Sequence, residues 1–247
     1  VTRGEPPLAV YAAGSLREVL GEIAAMYEAQ TGQAVLLTLG ASGLLRERIE
    51  RGESASVFAS ADTGHPQRLA ERGGWSAPAV FVRNHLCALT ERVYTTPEQL
   101  LDTLLDPAVR IGTSTPGADP SGDCAWTRFR QADALRPGAG DELRYKAQKL
   151  TGHASLPAAP PGCSTYAWVM GSGQADVFIT YRTNAVIALR ERPSLRMVEL
   201  PPALQVAAAY GLGVREDAPA AARAFTRCLM APGAQAVFAL HGFEPAW

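Results

Sequence analysis

Short apolar runs that end in small or polar residues recur along the chain, and most lead into a helical spacing. Leu8-Ala9-Val10-Tyr11-Ala12-Ala13 runs into Gly14-Ser15, after which Leu16, Val19, Leu20, Ile23 and Tyr27 fall three or four apart. That pattern predicts a buried strand, a turn and a helix with Ser15 as its N-cap. Ala34 to Leu39 repeats the theme through Gly40-Ala41-Ser42-Gly43, ahead of Leu44, Leu45 and Ile49. Val109 to Gly112 leads through a polar loop to Pro120-Ser121-Gly122-Asp123, before Ala125, Trp126 and Phe129. A fourth instance is Pro161-Gly162-Cys163-Ser164-Thr165, before Tyr166, Val169 and Met170.

The remaining elements follow from the same periods. Ala55 to Asp62 is expected as a central strand, followed by a helix that carries Leu69 and stops at Gly73-Gly74. Ala79 to Val82 and Leu86 to Leu89 form two more strands, with Arg83-Asn84-His85 between them. Pro97 to Leu105 is a short helix opened by its proline. A helix around Leu143 to Leu150 follows the breaker Arg136 to Gly140, and the proline-bearing stretch His153 to Gly162 is an irregular loop. Asp176 to Tyr181 is a buried strand before a helix over Asn184 to Arg190, and Leu204 to Val214 is an extended run of small residues. Two helices close the chain, through Phe225 and Leu229 and through Val237, Phe238 and Leu240. Strands that alternate with helices predict an α/β fold with mainly parallel sheets, which take ligands outside the carboxyl ends of their strands.

Two physical roles fit the four small-residue helix starts. A serine there caps its own helix, or the unpartnered first-turn amides of several helices converge on a small anion. Tyr181 ends a strongly apolar strand at the ligand face. Its hydroxyl is either satisfied by backbone or offered to an anion as a neutral donor, with no counter-charge to bury. Asp62 and Asp119 stand at strand or loop ends as caps or neighbouring acceptors, since a carboxylate aimed at an oxyanion opposes it.

Composition removes several classes. The 247 residues are 47% hydrophobic and 19% charged, so the chain can bury one large core or two smaller ones. Twenty-three basic against 24 acidic residues leave a formal charge of -1, with the arginines scattered, which speaks against nucleic acid as a partner. No apolar run reaches membrane-span length. The opening Val1 to Pro7 contains no secretory signal and reads as a mature end after processing or as a trimmed one. No Gly-x-Ser-x-Gly elbow, phosphate-loop lysine or dinucleotide fingerprint occurs. His65, His85, His153 and His241 lie far apart, and Cys87, Cys124, Cys163 and Cys228 lack metal-ligand spacing, so neither metal nor cofactor is expected. An enzyme on this scaffold would have only Asp62, Asp119 and Asp123 to serve as acid or base.

In order along the chain, Ala12-Ala13-Gly14-Ser15, Gly40-Ala41-Ser42-Gly43, Ser60-Ala61-Asp62 and Tyr181-Arg182-Thr183-Asn184-Ala185 resemble the motifs of the bacterial periplasmic molybdate-binding proteins, the solute-binding components of ABC transporters. The resemblance covers essentially the whole chain. It implies a two-lobed periplasmic binding protein fold, each lobe a mainly parallel sheet flanked by helices, joined by two crossover strands. Lobe one would comprise 1–82 and 205–247, and lobe two 83–204. It further implies an exported, non-enzymatic, monomeric protein that binds molybdate or tungstate in the interlobe cleft and delivers it to a permease. Carried over residue by residue, the ligand set is Ser15 and Ser42 with Ser121, Cys163, Ser164 and Tyr181, and Gly14, Asp62, Pro120 and Cys124 lie around it. Cys124, Cys163 and Asn184 depart from the family pattern, which keeps another small anion such as a phosphonate, or a sensor built on the same module, as alternatives. Both Cys124 and Cys163 start helices assigned to the ligand face of lobe two, and an oxidising periplasm would favour a disulfide between them; otherwise they are two small buried residues. Cys87 and Cys228 are expected as separate thiols.

Overall fold

The computed structural model describes residues 6–93, 95–153, 155–205 and 207–247, so the opening residues 1–5 lie outside it. The chain divides into two compact units, Val1–Asn84 with Ala208–Trp247 and His85–Ala207. It passes between them twice, at residues 84–85 and 207–208.

The first unit starts as β1 (Leu8–Ala13), α1 (Arg17–Thr31), β2 (Val35–Gly40), α2 (Ser42–Glu50), β3 (Val57–Ser60), α3 (Gly64–Arg72) and β4 (Ala79–Asn84). The second contains β5 (Leu86–Thr90), α4 (Leu100–Leu105), β6 (Ile111–Ser114), α5 (Pro120–Gln131), α6 (Ala139–Lys146), β7 (Gln148–Thr151), α7 (Thr165–Gly171), β8 (Val177–Tyr181), α8 (Arg182–Glu191) and β9 (Arg196–Glu199). The chain then returns to the first unit as β10 (Ala208–Val214), α9 (Ala220–Met230), α10 (Pro232–Leu240) and β11 (Glu244–Pro245).

In the first unit the strand order is β11-β4-β10-β3-β1-β2. β1 pairs in parallel with both β2 and β3, while β10 and β11 add antiparallel partners. Alternation along β1 splits its side chains between the two faces. Leu8, Val10 and Ala12 join a core with Leu16, Val19, Leu20 and Ile23 and with Phe225, Leu229 and Phe238 of the closing helices. Tyr11 and Phe58 point the other way and pack with Leu45, Ile49 and Leu69 of α2 and α3. The second unit repeats the layering, with order β7-β6-β8-β5-β9. Ile111, Val177 and Ile179 pack with Leu104, Phe129 and Leu143, whereas Cys87, Leu89 and Phe178 pack with Val169, Met170 and Ala188. Each unit is therefore a mixed sheet between helices, with a parallel centre that the strands next to the crossings extend in antiparallel fashion.

Glycine ends two helices: Gly73 (φ +88°) follows α3, as the sequence predicts, and Gly32 (φ +74°), which the sequence reading does not single out, closes α1. Three local expectations change. Gly14–Leu16 is a 3₁₀ turn that precedes α1, so Ser15 lies inside it and caps nothing; the residues at the two cap positions, Ala13 and Leu16, make no side-chain cap bond. The helix expected to reach Leu150 stops at Lys146, and Gln148–Thr151 pairs with β6 as an edge strand. Its polar residues hide it from a search for apolar runs. Pro97 opens only a turn, and α4 begins at Leu100.

Candidate functional site

In the first unit the parallel register Ala13↔Gly40 and Ala12↔Ala59 sets the carboxyl ends of β1, β2 and β3 side by side. Gly14 and Ser15, Ser42, and Asp62 therefore issue from one edge of the sheet. Ser15 is exposed, and its hydroxyl lies 3.0 Å from the Tyr210 hydroxyl on β10. Ser42 Oγ accepts a hydrogen bond from the Ala61 amide at 3.0 Å. Because that bond uses a lone pair, the Ser42 hydroxyl proton remains available to another acceptor. Asp62 behaves as the anticipated cap: its Oδ1 accepts from Ser60 Oγ at 2.9 Å and from the His65 amide at 3.0 Å. The His65 ring packs against Gly43, 3.4 Å from where a β-carbon there would stand. Neither the 3₁₀ turn at Gly14 nor α2 carries a side-chain cap.

The corresponding edge of the second unit is built differently. Asp119 caps α5, its Oδ1 accepting from Ser121 N at 2.8 Å and from Ser121 Oγ at 2.7 Å. Ser121 is buried, within 3.0 Å of Ser114 Oγ, which is itself 2.8 Å from Thr151 Oγ1 and 3.5 Å from the Tyr166 hydroxyl. Pro120 occupies the first position of the helix, where its missing N–H costs nothing. Tyr181 ends β8, half-buried, with its hydroxyl 3.5 Å from Pro120 O. Cys124 packs beside it. Burial raises the Cys124 thiol pKa, with Arg128 and the Tyr181 hydroxyl pulling the other way. The Tyr166 hydroxyl is likewise pushed up, first by burial and then by the charge of Asp119.

The structure thus brings Pro120, Ser121, Cys124 and Tyr181 together and leaves Cys163 and Ser164 apart from them. The Ser164 amide is held by both carboxylate oxygens of Glu191, at 2.8 and 2.7 Å, and Glu191 is the last residue of α8. Tyr181 is the N-cap of that same ten-residue helix, so about 15 Å of helix axis separates the two ends. The Ser164 side chain caps α7 by accepting from the Ala167 amide, and the Cys163 amide closes a turn on Pro160 O. The expected disulfide is therefore corrected: Cys124 and Cys163 are both free, one packed near the start of α8 and the other exposed near its end. Cys87 and Cys228 are free as well.

The sequence does not single out Tyr210, Ser114, Thr151 or Thr180, the last of which hydrogen-bonds the Tyr166 hydroxyl. The signal for several of them was present, because Ser114, Thr151 and Thr180 each stand at or beside the carboxyl end of a strand. Among the described residues no group of three or more His, Cys, Asp or Glu side chains is placed to hold a metal ion. No helix among them is long and apolar enough to cross a membrane.

Two α/β units of this kind, entered and re-entered by one chain, make the two-lobed fold typical of periplasmic binding proteins. The chain belongs to the bacterial extracellular solute-binding proteins, whose family model matches residues 8–244. Members of this family bind solutes outside the cytoplasm and are not enzymes. An uncharacterised protein of Pasteurella multocida is 34% identical over 207 residues, which are 82% of this chain and 85% of that one. Among solved structures, a substrate-binding domain assigned to a molybdenum ABC transporter of Clostridium difficile superposes with a TM-score of 0.78 at 21% identity, covering 98% of this chain and 99% of its own. PEB3 of Campylobacter jejuni, solved with L-phospholactate bound, gives a TM-score of 0.68 at 17% identity and covers 96% and 99%. At these identities the two structures share the fold with this chain.

Proposed function

We propose that the protein captures a small tetrahedral oxyanion, with molybdate or tungstate as the first candidates, and as a monomer delivers it to the permease of an ABC transporter. The hydroxyls assigned to the ligand are those of Ser15, Ser42 and Tyr181. The observation that carries this reading is the bond from the Ala61 amide to Ser42 Oγ, which fixes the serine while leaving its proton to donate. Beside it, the first turn of α2 has no side-chain cap, so the helix start favours negative charge. The ordered sequence motifs, and the molybdenum transporter domain of the same fold, support the choice of oxyanion.

A second reading, a small organic anion such as a phosphonate, is favoured by one observation. The first-turn amides of α5 are already bonded, that of Ser121 to the Asp119 carboxylate and those of Gly122 and Asp123 to the Asp119 main-chain carbonyl, so the second unit offers a compact oxyanion few amides. PEB3 with its bound phospholactate has this fold too.

Calorimetric titration of ligand-stripped protein with molybdate, tungstate, sulfate, phosphate and methylphosphonate tests both readings. Tight binding of molybdate and tungstate with weak binding of sulfate is expected. Heat from the phosphonate alone selects the second reading, and no heat from any of the five overturns both.

A further inference from the structure

Asp119 is fixed in place more firmly than a helix cap requires. Its Oδ1 takes both donors of Ser121, the amide and the hydroxyl. A hydroxyl has a single proton, and an ionised carboxylate is the strongest acceptor in reach. The one proton of the Ser121 hydroxyl thus has two acceptors in reach, that carboxylate at 2.7 Å and Ser114 Oγ at 3.0 Å, and Ser114 Oγ also meets the Thr151 and Tyr166 hydroxyls. The Gly152 backbone packs closely against the Asp119 side chain: a β-carbon at Gly152 (φ +83°) would lie 2.6 Å from Asp119 Cβ.

The rest of this loop is closed as well. The Gly117 amide donates to Asp123 Oδ1, those of Ala118 and Asp119 to Thr115 O, and those of Gly122 and Asp123 to Asp119 O. A ligand reaching this edge of the second unit meets the Tyr181 hydroxyl and a stationary negative charge, and finds the donors of Ser121 already engaged.

Resting on the anion reading above, we propose that Asp119 is a specificity-determining residue that limits the negative charge the bound ligand can carry. Repulsion from a fixed carboxylate scales with ligand charge and leaves ligand size out of account. The influence of Asp119 on the Tyr166 hydroxyl, across the same hydroxyl chain, is the same field acting on a neighbouring group.

The test compares tungstate with perrhenate, tetrahedral oxyanions of closely similar size that carry two charges and one. Asp119→Asn and Asp119→Ser both remain neutral helix caps, so one serves if the other folds poorly. The expected result is that either variant shifts the tungstate-to-perrhenate affinity ratio at least about fivefold toward tungstate. An unchanged ratio, with both anions still bound, overturns the role of Asp119 and leaves the anion reading standing. An equal loss of both affinities together with a lower melting temperature assigns Asp119 to structure alone and overturns the proposal. Failure of parent and variants to bind either anion removes the anion reading and this inference with it.

Discussion

The hydroxyls of Ser15 and Tyr210 stand 3.0 Å apart, although 195 positions separate them in the chain. Tyr210 is buried in β10, with Asn84 Nδ2 3.4 Å from the same oxygen. The exposed serine that leaves the first strand is thus anchored by the strand with which the chain re-enters the unit.

Tyr210→Phe is expected to cost about 1 kcal/mol of stability, the usual net worth of one hydrogen bond. It should also weaken anion binding severalfold, because Ser15 then rotates freely. Chemical denaturation and calorimetry on the same samples check both, and unchanged affinity would separate Ser15 from the ligand.

Ser42→Ala and Tyr181→Phe are each expected to weaken oxyanion binding by about 1.5–3 kcal/mol, the scale of a hydrogen bond to a charged group. Thermal melts of the unliganded variants should stay close to the parent. Two variants that bind like the parent would place the ligand elsewhere.

Much of this architecture was legible because burial imposes a period. The alternation through Leu8, Val10 and Ala12 and the three-and-four spacing through Val19, Ile23 and Tyr27 record which face meets the core. Gln148–Thr151 lacked that signature, since an edge strand can be polar and still pair. Among the candidate residues, Ser42, Asp62 and Asp119 were readable as hydrogen-bonding positions from their place after strands. Tyr210 was not, because its relation to Ser15 depends on β10 lying beside β3, and no local spacing encodes strand order. The misplaced disulfide has the same origin. Both cysteines precede or enter helices, but only the packing of α8 shows that they attend its opposite ends.

Free thiols give a direct check on that correction. Cys163 is exposed and should react promptly with a maleimide in the native protein, with Cys124 and Cys228 slower. Cys87 is fully buried and its pKa is driven far upward by burial, so it should react only after denaturation. Mass mapping under non-reducing conditions should then find four labelled cysteines and no linked peptide pair.

Asp176 offers a pH test of the second unit. Its carboxylate accepts from the Arg110 amide at 2.8 Å and from the guanidinium at 3.0 and 2.9 Å. Arg110 holds the carboxyl below its ordinary range, against the opposing effect of partial burial. A depressed carboxylate contributes stability above its unfolded pKa, and that stability is lost as the pH falls through the lower, folded value. The gap between the parent and Asp176→Asn should be full at neutral pH and shrink below about pH 4. Urea titrations across that interval measure it, and a gap independent of pH would exclude the ion pair as its source.

The open first turn of α2 also has a consequence for local motion. Among the described residues, no side chain caps that turn, and its first bonded amide is Leu45, which donates to Ala41 O. The amide protons of Ser42, Gly43 and Leu44 should therefore trade with solvent quickly in the unliganded protein, whereas those of Gly122 and Asp123, bound to Asp119 O, should already be slow. Ligand capture would then be written as hydrogen-exchange protection gained over residues 42–44 and scarcely at all over 122–123. The two units would record the same event with unequal change, one settling around the ligand and the other already settled on its own chain.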